Sequence, residues 1–153
     1  ASHNSKKLDA IRHAVKFLEL KKKQNYDYVF DLDVTSPLRN AEDIRNAFKI
    51  IKREKTKNLF SVTPSKKNPY FNMIEIKKKG VGLIKKGKKI FHSRQEAPQT
   101  YDVNASIYIW QRDYLFKTYN VVGKNSSIYI MPPERSIDID SPFDFKLVKY
   151  LLK

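Results

Sequence analysis

Apolar positions along the 153-residue chain follow two rhythms. Leu8, Ile11, Val15 and Leu18 recur at helical spacing with Ala14 beside them, which predicts an amphipathic helix closed near Asn25. His13 falls off that stripe and reads as a solvent-facing helix residue. Tyr28 to Leu32 is aromatic, β-branched or apolar at most positions and predicts a strand. Asn40, with Asp43 three residues on, carries the signature of a helix start, and Ile44, Phe48 and Ile51 supply the buried face of that helix. Leu59 to Thr63 predicts a further strand, stopped by Pro64. Strands alternating with helices point to an α/β fold with a mostly parallel sheet covered on both faces.

The rhythm then changes. Phe71 to Ile76, Val81 to Ile84 and Lys89 to Phe91 are short strand-like pieces, separated by Lys77-Lys78-Lys79-Gly80 and Lys85-Lys86-Gly87-Lys88. These separators read as hairpin turns in which glycine supplies positive φ, so the stretch predicts an antiparallel insertion over about 65–91. Val103 to Trp110 returns to a buried-strand composition, a short helix is expected from Arg112 to Lys117, and Ser127 to Met131 gives one more strand before Pro132-Pro133. Ser141 as N-cap, Pro142 at the first helical position and Asp144 at the third predict a last helix from Pro142 to about Leu152.

The readable chemistry concentrates where the first strand meets the second helix, Asp31 to Arg39. Pro37 cannot continue a central strand, so the hydroxyls of Thr35 and Ser36 belong at a strand's C-terminal end, the edge where open α/β sheets bind ligands. Composition narrows the frame. With 41% hydrophobic residues, including 9 Phe and 9 Tyr, the chain can fill the core of one domain. It has no cysteine, which excludes disulfides and cysteine-held zinc or iron–sulfur sites and fits a reducing cytoplasm. No apolar run approaches the ~20 residues that span a bilayer, and residues 1–7 show no signal-peptide pattern, so a soluble protein is expected. The net charge of +15 is mostly lysine in short runs near turns, which reads as a solvated surface or as attraction for an anion.

No nucleophile elbow, dinucleotide fingerprint or phosphate loop is present, and the 3 histidines are too scattered for a metal triad. What remains is a set of polar groups at strand ends: Asp33, Thr35, Ser36 and Arg39, then Arg94-Gln95, Asn104, and the pair Asp138 and Asp140. Arginine suits bidentate capture of a carboxylate or phosphate. Asp138 and Asp140 are two apart, so in extended backbone their carboxylates share a side. They either converge on one cation such as magnesium, or one caps the last helix and the other is solvated.

Taken together these residues resemble the acylneuraminate cytidylyltransferases, the family that activates sialic-acid-like nonulosonic acids. Thr35-Ser36-Pro37-Leu38-Arg39 with Glu42-Asp43-Ile44 is similar to the family's strand-to-helix block. Arg94-Gln95 with Pro98, Tyr101 and Asn104 through Ile109 is similar to its second block, and Ser136 to Asp140 to its third. The resemblance implies a three-layer fold like that of nucleotide-diphospho-sugar transferases, and a homodimer formed through the antiparallel insertion. It implies transfer of CMP from CTP to the anomeric hydroxyl of a nonulosonic acid, with release of pyrophosphate and with Mg2+ as cofactor. It assigns the metal and catalysis to Asp138 and Asp140, the acidic sugar to Arg94 and Gln95, the pocket wall to Asn104 and Tyr108, and its floor to Thr35 and Ser36, with Asp33 facing the sugar.

Departures accompany the match. Asp33 stands where the family commonly has Gln, Ala105-Ser106 where it has Gly-Ala, and Phe71 where it often has Lys, while Asn68 to Asn72 is closer to the legionaminate branch. The resemblance also implies that the chain is roughly the C-terminal two-thirds of one cytidylyltransferase domain, without the triphosphate-binding segment, and that alone it does not turn over CTP. Two other classes fit parts of the pattern. A basic nucleic-acid-binding module would explain the charge but lacks an aromatic or recognition-helix signature. Another sugar nucleotidyltransferase or a glycosyltransferase would use the Asp-x-Asp pair for a nucleotide-sugar metal.

Overall fold

The computed structural model describes residues 7–78, 80–87 and 89–152. Lys79, Lys88 and residues 1–6, which enter the expectations about turns and leader, lie outside them. The chain runs α1 (Lys7–Lys22), β1 (Tyr28–Leu32), α2 (Ala41–Glu54), β2 (Asn58–Pro64), β3 (Ile74–Lys77), β4 (Gly80–Leu83), β5 (Tyr101–Gln111), α3 (Arg112–Leu115), β6 (Ser126–Ile130), a 3-10 turn at Pro133–Arg135, and α4 (Pro142–Leu151).

Four strands form the main sheet in the order β1-β5-β2-β6. β6 is parallel to β2, whereas β5 lies antiparallel between β1 and β2. Thus β1, β2 and β6 point one way and β5 alone opposes them, a mixed sheet compatible with the expected α/β fold. The physical reason is the connection after Pro64. No covering helix follows β2; the chain makes its excursion and returns at Tyr101, which pairs with Pro64, so β5 runs back along its neighbour.

Side-chain alternation sorts the two faces. Ile107 and Ile109 of β5 join Leu59, Met131 and the α2 residues Ala47 and Ile51 in one buried cluster. Trp110, on the opposite face, packs with Val15 of α1 and Leu115 of α3. Leu8, Ile11 and Val15 therefore face inward as their spacing indicates, but Leu18 is exposed, because the stripe outruns the sheet. α1 ends at Lys22, earlier than Asn25, as Lys23 takes a left-handed φ of 52°.

The insertion contains a single hairpin, β3 with β4, whose residues are exposed apart from half-buried Gly82. Gly80 supplies the expected positive φ of 120°. Two expectations fail here. Phe71 and Asn72 form a turn in which the Asn68 carbonyl accepts from the N–H groups of Phe71, Asn72 and Met73, so β3 starts only at Ile74. Lys89 to Phe91 is no strand: Phe91 packs edge-on against Tyr70, and a Cβ on Gly87 would lie 2.4 Å from its ring. That glycine answers a close approach rather than a positive φ.

The strongest tie between elements is polar. Asp43, 1% exposed, closes a capping box with Asn40 and takes two hydrogen bonds from Arg135, at 2.9 and 3.0 Å, plus one from the Tyr129 hydroxyl. This pins the start of α2 to β6 and the turn after it. Burial alone would push the Asp43 carboxyl up, but the hydrogen bonds from Arg135, Asn40 and Tyr129 outweigh it and hold the group below the usual carboxylate range. Its contribution to stability is therefore complete above about pH 4 and is lost as pH falls through the lowered value. Asp43→Asn should cost about 3 kcal/mol at neutral pH in urea unfolding, and the variant should show a shallower loss of stability in acid than the parent.

Candidate functional site

β1, β2 and β6 share a direction, so their C-terminal ends meet at one edge, and the start of antiparallel β5 lies among them. β5 is irregular there. Val103 pairs with Val62 and Tyr108 with Phe60, so four residues, Asn104 to Ile107, stand opposite the single residue Ser61. Ala105 takes a left-handed φ of 53° to make this bulge.

Polar side chains fix it. The Ser61 hydroxyl donates to Asn104 Oδ1 at 2.6 Å and accepts from the Ile107 N–H at 2.8 Å. Asn104 Nδ2 donates to Ser136 Oγ at 2.9 Å and approaches Met131 Sδ at 3.4 Å. The amide of Asn104 is thereby used inside the protein. It shapes the wall from within, as a clamp, and has little capacity left for a ligand.

The β1 exit is fastened to the same place. Asp33 Oδ1 accepts from the backbone N–H and hydroxyl of Thr35, the turn chemistry expected of an Asp at a strand exit. Arg39 Nη1 donates to the carbonyls of Asp33, Ser36 and Ser106 and so ties the β1 exit to the β5 bulge. Ser36 is fully buried beneath the floor, its hydroxyl 3.4 Å from Asp138 Oδ1 and 3.5 Å from the Asn104 carbonyl. The Ile139 N–H donates to the Thr35 carbonyl at 2.9 Å and lays the Ser136 to Asp140 segment against the junction.

The structure thus gathers Asp33, Thr35, Ser36, Asn104, Tyr108 and Asp138. Burial first, and the carboxylates of Asp31, Asp33 and Asp138 after it, push the Tyr108 hydroxyl above its ordinary value against the pull of Lys7, so the phenol is neutral near pH 7. Asp140 is exposed and borders an open groove of about 590 Å³ lined also by Ile139, Ser141, Pro142, Phe145 and Lys146. Neither Asp138 nor Asp140 caps α4: Ser141 does so, accepting from the Asp144 N–H and donating to its carboxylate. Arg94 and Gln95 lie on an exposed turn, and no contact joins them to this cluster among the described residues.

Sequence reasoning missed Lys7, Asp31, Ser61 and Ser136. The Lys7 ammonium lies 3.0 Å from Asp31 and 3.2 Å from Asp33. Asp31 carried a signal in its alternation with Asp33, whereas Lys7 is distant in sequence and carried none. With Asp31 and Asp33 on the Lys7 ammonium and Asp138 near Tyr108, the cluster is acidic on a basic protein, unlike a surface for nucleic acid.

As hard-oxygen donors on alternate residues, Asp138 and Asp140 fit a magnesium ion. No group of three or more His, Cys, Asp or Glu side chains suited to a metal forms among the described residues, so an ion held by this pair would complete its shell with water and substrate oxygens.

The chain aligns over its whole length, 153 residues at 40% identity, with the post-translational flagellin modification protein B of Campylobacter coli. It is also 40% identical, over 99% of its length, to the CMP-N,N'-diacetyllegionaminic acid synthase of Campylobacter jejuni. The chain is a relative of the acylneuraminate cytidylyltransferases. An N-acylneuraminate cytidylyltransferase of Streptococcus agalactiae matches at 26% over 121 residues, which is 79% of this chain and 29% of that protein. The chain spans 64% of the length of each Campylobacter protein. No protein-family model matches it. No helix among the described residues is long and apolar enough to cross a membrane.

Ala105 gives a direct test of the bulge. A left-handed residue with a Cβ costs about 1 kcal/mol that glycine does not pay. Ala105→Gly should therefore raise the urea midpoint, by roughly 0.5–1 kcal/mol in stability, while a valine there should lower it.

Proposed function

We propose that this chain carries the sugar and metal side of a cytidylyltransferase that joins CMP from CTP to the anomeric hydroxyl of a nonulosonic acid and releases pyrophosphate. One observation supports this most. The β1 exit, the β5 bulge and the Ser136 to Asp140 segment converge at one sheet edge, in a chain 40% identical to a CMP-N,N'-diacetyllegionaminic acid synthase. A legionaminic-type acid is the substrate this reading favours, because that relative is much closer in sequence than the N-acylneuraminate enzyme at 26%.

In this reading Asp33, Thr35 and Tyr108 face the sugar, Ser36 and Asn104 hold the wall from behind, and Asp138 and Asp140 hold Mg2+. Magnesium, when bound, neutralises charge developing on the phosphate oxygens. The exposed cation of Arg94 and the neutral amide of its neighbour Gln95 are the candidates for the sugar carboxylate, which the acidic cluster would repel. The hairpin supports a homodimer: Ile74, Ile76 and Val81 are 63%, 88% and 67% exposed, and an isolated two-stranded hairpin is marginal in water until something covers it. The full three-layer arrangement and a cytoplasmic location belong to the same reading.

The experiment is pyrophosphate release by the complete enzyme, with CTP, UTP and GTP each offered beside a legionaminic-type acid and N-acetylneuraminate. Release confined to CTP plus a nonulosonic acid is expected; release with UTP or GTP, or none with either sugar, removes the reading.

The Asp pair separates further. Asp138 is half-buried against Ser36, whereas Asp140 is exposed beside the cap of α4, so Asp140 is the direct ligand and Asp138 its support. Asp140→Asn should abolish turnover at any practical magnesium concentration, and Asp138→Asn should leave activity that rises with added magnesium. The reverse ranking would take the metal role from Asp140.

A further inference from the structure

Lys7 begins α1, where the unpaired N–H groups of the first turn disfavour a cation. Its ammonium is held there by the β1 exit, bridging Asp31 at 3.0 Å and Asp33 at 3.2 Å and lying 4.8 Å from the centre of the Tyr108 ring. The side chain keeps 51% of its surface exposed, against 28% for Asp33, so the pair stands at the mouth of the cluster.

Their hydrogen-bonding capacity can be counted. An ammonium has three donors, and Asp31 and Asp33 take two of them. Asp33 Oδ1 is engaged by Thr35 and Oδ2 by Lys7. What is left facing outward is one N–H of Lys7 beside the remaining lone pairs of the carboxylates, next to the Tyr108 ring. A donor adjacent to an acceptor matches a hydroxyl or an acylamino group. A carboxylate does not match, because Asp31, Asp33 and Asp138 together outweigh the one ammonium.

We infer that Lys7 is a positioning residue of the sugar site: by holding Asp33 it sets the enzyme's selectivity for an uncharged hydroxyl or acylamino substituent of the sugar acid, and it orients the sugar with its carboxylate away from this corner. The inference rests on the cytidylyltransferase reading. Without Lys7, the carboxylates of Asp31 and Asp33 repel each other across the exit of β1, and Asp33 loses the partner that fixes its Oδ2.

The test uses the complete enzyme as wild type, Lys7→Met, Lys7→Arg, Asp33→Asn and the double variant Lys7→Met with Asp33→Asn. KM is measured separately for CTP and for two sugar acids that differ only in carrying an acylamino group or a hydroxyl at one carbon. Lys7→Met should raise the KM of the preferred sugar about tenfold and compress the preference between the two sugars, with the KM of CTP unchanged within about twofold. Because Lys7 acts through Asp33, Lys7→Met should add little to the rise in sugar KM that Asp33→Asn causes alone, and Lys7→Arg should stay near wild type. A sugar KM unmoved in Lys7→Met, an equal rise for CTP, or fully additive losses in the double variant overturns the inference while wild-type turnover leaves the cytidylyltransferase reading standing. A wild type that releases no pyrophosphate with any nonulosonic acid overturns both.

Discussion

The hydrogen bond from Ser61 to Asn104, 2.6 Å long and inside the sheet, is the contact on which the arrangement of the site depends. It forces four β5 residues to stand opposite one residue of β2, and it aims the Asn104 amide at Ser136. Ser136 in turn donates to the Pro132 carbonyl and anchors the segment that carries Asp138 and Asp140. A regular ladder at this point would deprive the buried Ser61 hydroxyl and Ser136 of the Asn104 amide. Among the described residues, every buried side-chain nitrogen or oxygen has a partner except the hydroxyls of Thr63 and Ser106 and the indole nitrogen of Trp110. Ser106 is thus a buried hydroxyl within the bulge that gains nothing from its own neighbours.

Electrostatics on this protein has two scales. The formal charge of +15 is spread over lysines at the surface, and at distances beyond a Debye length it does little more than raise the local concentration of anions. At the sheet edge the balance reverses, because Asp31, Asp33 and Asp138 outnumber Lys7 and Arg39. A phosphate or carboxylate drawn in by the outer field would meet a corner that rejects it unless a divalent cation is already there. That ordering of charges is a constraint on how any anionic ligand can sit.

Much of this was legible in the sequence. β1, the start of α2 and both ends of α4 follow from local rules, since a cap, a proline and an apolar run act over a few residues. The meeting of Thr35, Ser36, Asn104 and Asp138 was foreseen through the resemblance and not from spacing, and geometry then gave Asn104 and Ser36 supporting rather than exposed places. The direction of β5 was not legible, because alternation of strands and helices says nothing about a strand that returns without a helix. Nor was Lys7: an ion pair between residues 26 apart leaves no periodic trace. Lys89 to Phe91 shows the complementary failure, where aromatic content suggested a strand but Phe91 is used to pack on Tyr70.

The bulge also divides the chain into regions of different tolerance to changes in length. Side chains alternate faces along a strand, so the odd number of extra residues in β5 exchanges the parity of inward positions between Val103 and Tyr108, which lie on one face although one number is odd and the other even. Removing or adding a single codon between Asn104 and Ile107 would turn the first part of β5 inside out relative to β2. In the largely exposed β3–β4 hairpin, outside the main sheet, the same change would leave β5 and β2 in register. Insertions and deletions among natural variants of this chain should therefore accumulate before Tyr101 and be absent from the four residues that face Ser61.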